Sequence, residues 1–105
     1  MTNYYIEYKS MDFPYSYKYD RQTYKTVTGV RKKCMALIDS HKAIVCVIRW
    51  AGGWENLVYI TMDGKYVLED RNNDKWYHLN KDGSLGTQIR SKKKLDIVQS
   101  ARQRW

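Results

Sequence analysis

The sequence predicts an α+β fold: a small antiparallel β-sheet of hairpins and meander, with one or two helices packed on one face. Three observations lead there. Segments rich in Tyr, Val and Ile alternate with a period of two and are punctuated by Gly-Gly and Asp-Gly turns. One stretch in the first half repeats its apolar residues at three- and four-residue spacing, the signature of a helix. Finally, 105 residues with 43% hydrophobic content and one proline suit a single folded core. The predicted order is β-β-α-β-β-β-β-α in one domain, residues 1–105, with residues 91–105 as a basic C-terminal helix or tail.

Each element has its own reason. Tyr4, Ile6 and Tyr8 alternate with Tyr5, Glu7 and Lys9, and after a turn at Asp12-Phe13-Pro14 the residues Tyr15, Tyr17 and Tyr19 alternate again. The two segments form a hairpin with a tyrosine-rich face. A helix runs from Thr26 to Ser40, with Val27, Val30, Cys34, Leu37 and Ile38 on one stripe and a threonine cap at its start. Ala43 to Ile48 is apolar on both faces and reads as the central strand. The helix is expected to bury Val30, Cys34 and Ile38 against Val45, Val47 and Ile60. Ala51-Gly52-Gly53 turns the chain into Leu57–Met62, and Asp63-Gly64 reads as a two-residue hairpin turn into Tyr66–Leu68. Asn72-Asn73-Asp74 leads to Trp76–Leu79, and Asp82-Gly83 closes the meander before a short segment at Gly86–Ile89. A second helix is expected from Ser91, with Leu95, Val98, Ala101 and Trp105 on one stripe.

Composition excludes some classes and favours others. No run of about 18 apolar residues is present, so no membrane-spanning helix is expected. The first residues lack a charged region followed by an apolar one, so a cytoplasmic location is expected. The formal net charge is +8, concentrated as +5 over residues 25–50 and +5 over residues 83–105, around a middle segment of −2 over residues 51–82. Clustered positive charge attracts polyanions, and nucleic acid is the commonest of these.

No catalytic, cofactor or metal site is expected. His41 and His78 are the only imidazoles, without companions at metal-ligand spacing. Cys34 and Cys46 lack a Cys-x-x-Cys spacing and read as buried, reduced thiols. Gly52-Gly53 lacks the Lys and Ser/Thr of a phosphate loop. The stretch Lys75-Trp76-Tyr77-His78-Leu79-Asn80-Lys81-Asp82-Gly83-Ser84-Leu85 resembles one repeat of the choline-binding, cell-wall-anchoring family, in which aromatics of successive hairpins form ligand cages. Here it has no second copy. The order of three strands and a helix from Tyr66 to Trp105 resembles phage integrase arm-binding and plant ethylene-response domains, which implies a sheet face in the DNA major groove.

The predicted function is therefore non-enzymatic binding of DNA or RNA. Phosphate contacts are assigned to Arg31, Lys32, Lys33, Arg49, Lys92, Lys93, Lys94, Arg102 and Arg104, with Trp50, Trp54 and Trp105 as base or sugar contacts. The alternative is a protein-binding regulator or inhibitor of a larger enzyme, using Tyr15, Tyr17 and Tyr19.

Overall fold

A computed structural model describes residues 3–10, 17–20, 22–50, 54–61 and 64–90, except the side chains of Tyr17 and Trp54. Strands β1 (Tyr4–Ser10) and β2 (Tyr17–Tyr19) precede helix α1 (Val27–Asp39). The meander β3 (Ala43–Trp50), β4 (Trp54–Ile60), β5 (Tyr66–Asp70), β6 (Lys75–Leu79) and β7 (Leu85–Gln88) follows. All seven strands join one antiparallel sheet in the order β2-β1-β3-β4-β5-β6-β7. The predicted α+β class is thus observed, and the short segment near residue 86 is a full member of the sheet. The predicted C-terminal helix lies outside the described residues.

Helix α1 starts where the sequence places it. Thr26 has extended backbone angles, and its side chain accepts a hydrogen bond from the Gly29 amide at 3.1 Å, which satisfies one of the orphan donors of the first turn. The helix ends in a Schellman arrangement: the Lys42 amide donates to the Leu37 carbonyl at 3.0 Å and the His41 amide to the Ile38 carbonyl at 3.1 Å. His41 takes the left-handed conformation, φ 60°, that glycine usually fills there.

The sheet has an apolar cluster on each face. Val30, Cys34, Met35, Leu37 and Ile38 of α1 pack with Ile6, Cys46, Ile48, Val58, Leu68 and Leu79 on one side. Val45, Val47, Leu57, Tyr59, Val67, Trp76 and Ile89 form the second cluster. This corrects the expected packing: Val45 and Val47 face away from the helix, and Cys46 and Ile48 meet it. A run apolar at every position carries no alternation, so the parity of β3 is set only by its partners. Ile60 does pack on the helix side, as expected. Cys34 and Cys46 are buried free thiols, with the Cys46 Sγ 3.8 Å from the Cys34 carbonyl, and burial pushes the Cys34 pKa well up.

The turns settle the register. Gly64 has φ +83°, its amide donates to Thr61 O at 3.0 Å, and the Thr61 amide donates to Lys65 O at 2.8 Å. Three residues, rather than the expected two, therefore separate the closing pair, the pattern of a turn ending in a left-handed glycine. The β6–β7 hairpin repeats it, with Gly83 at φ +88° and bonds between Gly83 and Asn80 and between Asn80 and Ser84.

Candidate nucleic-acid interface

In an antiparallel meander alternate connections return to the same end of the sheet. The α1–β3, β4–β5 and β6–β7 connections share one end here, and each carries an exposed lysine: Lys42, Lys65 and Lys81. Among the described residues none of the three makes an ion pair. Lys65 and Lys81 flank a cleft of about 300 Å³ that Gly64, Tyr66, His78 and Leu79 complete. Lys32, on the exposed side of α1, extends this band, since its charge reaches the Asp82 carboxylate beside Lys81.

Two carboxylates described at this end, Asp39 and Asp82, accept hydrogen bonds. Asp39 accepts from the Tyr66 hydroxyl, which also lies 3.3 Å from the Met35 carbonyl. Burial first, and then the bond to Asp39, pushes the Tyr66 pKa up. Asp82 accepts from the Ser84 hydroxyl at 2.6 Å and the Ser84 amide at 2.9 Å, and these bonds pull its pKa down.

At the opposite end of the sheet two arginines are paired with carboxylates. Arg49 lies 3.2 Å from Glu7 and 3.6 Å from Glu55, and Arg71 lies 3.1 Å from Glu55. Asp70 accepts from the amides of Asn72 and Asn73 and from the Asn73 side chain. Opposite charges meet on adjacent strands there, which weakens the attraction of Arg49 and Arg71 for a polyanion.

The sequence-assigned contacts divide accordingly. Lys32 is exposed and Lys33 half-buried on α1. Arg31 is half-buried and donates to the Gly83 carbonyl at 3.2 Å, tying α1 to the β6–β7 hairpin, while burial draws its pKa down. Arg49 belongs to the ion-pair network. Trp50 packs on the helix-side cluster with its ring centroid 5.4 Å from that of Tyr4. Trp54 begins β4, and Tyr17 begins β2. Tyr19 is exposed. Lys92, Lys93, Lys94, Arg102, Arg104, Trp105 and Tyr15 lie outside the described residues.

The contacts assigned from the sequence do not include Lys42, Lys65, His78 or Lys81. The signal was present: Lys65 follows one Asp-Gly pair, Lys81 precedes the other, and counting turns puts both at one sheet end. No group of three or more His, Cys, Asp or Glu placed to hold a metal ion occurs among the described residues. No helix among them is long and apolar enough to cross a membrane. Comparison with protein-family models, with curated proteins and with solved structures found no match.

Proposed function

We propose that this is a small, non-enzymatic nucleic-acid-binding protein of the cytoplasm, which holds a phosphate backbone along the cationic end of its sheet. One observation carries the reading. Among the described residues, Lys42, Lys65 and Lys81 make no ion pair on three connections at one end, while Arg49 and Arg71 at the other end pair with carboxylates. Ammonium groups on separate turns can contact successive phosphates, and each contact releases counterions. The cleft between Lys65 and Lys81 has a half-buried Tyr66 and His78 in its lining, so a sugar or base edge can rest between the two charges. Titration of labelled duplex DNA, single-stranded DNA and RNA at two salt concentrations tests this. Salt-dependent binding that persists at physiological ionic strength is expected, and its absence for all three polymers refutes the reading.

A second reading rests on a different observation. Tyr19, on edge strand β2, is 71% exposed and Tyr5, on neighbouring β1, is 49% exposed. Exposed tyrosines beside a sheet edge suit a protein partner, as in a regulator or inhibitor of a larger enzyme. That reading expects capture of a partner that survives high salt and is lost in Tyr19→Ala.

A further inference from the structure

The cleft between Lys65 and Lys81 has two kinds of surface. Its flanks are cationic, since both lysines are exposed and, among the described residues, make no ion pair. Its floor is aromatic and apolar, built from Tyr66 and Leu79. The β5–β6 register pairs Val67 with His78, so the next residues out, Tyr66 and Leu79, stand side by side, and both pack on the helix-side cluster. A bare phosphate uses the flanks and makes nothing of the floor. We propose that the cleft receives an unpaired nucleotide, its base lying against Tyr66 and Leu79 and its flanking phosphates held by Lys65 and Lys81. The inference rests on the nucleic-acid reading and narrows it to single strands.

Size, rigidity and access support the assignment. A cleft of about 300 Å³ is at the small end of ligand pockets and has room for one nucleoside-sized group. Within a duplex each base is stacked on its neighbours and shows only its edges, whereas an unpaired base offers a face to a ring. The Tyr66 hydroxyl donates to Asp39 at the end of α1 and lies 3.3 Å from the Met35 carbonyl. The ring is therefore fixed before a ligand arrives, and a base that meets it pays little for ordering the site. Gly64 forms the lip. A Cβ there would meet nothing within 4 Å, whereas one on Gly83, in the like turn of the β6–β7 hairpin, would collide with the Thr28 carbonyl. The mouth at Gly64 is thus open to the close approach of a sugar-phosphate chain. Leu85, opposite Leu79 on β7, is 39% exposed and continues the apolar surface past the cleft, where a neighbouring base can rest.

Titration of the full chain with labelled oligothymidine, an abasic strand of equal length and a duplex tests the inference. The first two probes carry the same charge, so a difference between them reports the base. Oligothymidine is expected to bind about tenfold more tightly than the abasic strand. Tyr66→Leu should abolish that advantage while keeping the wild-type salt slope, which counts phosphate contacts. Tyr66→Phe retains the ring and should retain the preference. Equal affinity of the wild type for the two strands overturns the inference, and that comparison needs no variant to fold. A matching loss of duplex affinity in Tyr66→Leu would assign the ring to the fold alone and also overturn it. Preference for phosphatidylserine vesicles over oligothymidine would give the cleft to a lipid headgroup, with the same consequence. The nucleic-acid reading itself fails only when oligothymidine, duplex and RNA are all left unbound, so the two failures are distinguishable.

Discussion

His41 holds the one position of α1's C-terminal arrangement that demands a positive φ, and it is not glycine. A side chain in that conformation costs about 1 kcal/mol, so His41→Gly is expected to raise the unfolding free energy by roughly that amount in urea titration at pH 7. No gain would mean that the imidazole makes an offsetting contact. The phenols give a pH dependence. Burial and hydrogen bonds to Asp20 and Asp39 raise the pKa values of Tyr24 and Tyr66, the Tyr24 bond being 2.5 Å long. A raised folded pKa means that the native state keeps a proton that the unfolded chain loses. Their contribution is therefore full below the ordinary tyrosine pKa of about 10 and lost as pH rises through the raised values. Stability is expected to fall as pH rises above about 10. The fall should be shallower in Tyr24→Phe/Tyr66→Phe, and an equally steep fall would contradict the assignment. The two bonds were not legible in the sequence, because their partners come from separate elements or from an irregular segment.

The β6–β7 hairpin is tied to α1 through backbone proximity. A Cβ on Gly83 would lie 2.5 Å from the Thr28 carbonyl oxygen, at a φ that side chains rarely adopt. Gly64 has a similar φ but open space around it. Gly83→Ala therefore combines strain with collision and is expected to cost about 3 kcal/mol, against about 1 kcal/mol for Gly64→Ala. Equal losses by chemical denaturation would mean that the helix yields. The contrast also separates what was readable from what was not. Thr26, the alternating tyrosines and the two Asp-Gly pairs carry local signals, so the helix and the hairpins were legible from the chain alone. The orientation of β3 was not, because Val45 to Ile48 is apolar throughout and only tertiary pairing assigns its faces. The third loop residue at Gly64 was also missed, since Asp-Gly suits both turn types.

Among the described residues, the two ends of the sheet differ in charge pairing: Arg49 and Arg71 pair with carboxylates at one end, and Lys42, Lys65 and Lys81 make no ion pair at the other. Linear charge blocks located Lys32 correctly on the solvent side of α1, but could not distinguish Arg49, which Glu7 and Glu55 neutralise, from a free cation. Lys65 and Lys81 sit in the segment whose net charge is negative, so block averaging hid them, and only the order of turns brings them together. The most direct measurement compares nucleic-acid binding of the wild-type protein, Lys42→Ala/Lys65→Ala/Lys81→Ala and the opposite-end control Lys75→Ala across a salt series. Each lost phosphate contact flattens the log–log salt slope by about 0.9 on duplex DNA and ~0.7 on single strands. The triple variant should keep the wild-type melting temperature and lose about two units of slope or more, while Lys75→Ala leaves the slope unchanged. A triple variant that binds with the wild-type slope would contradict the account.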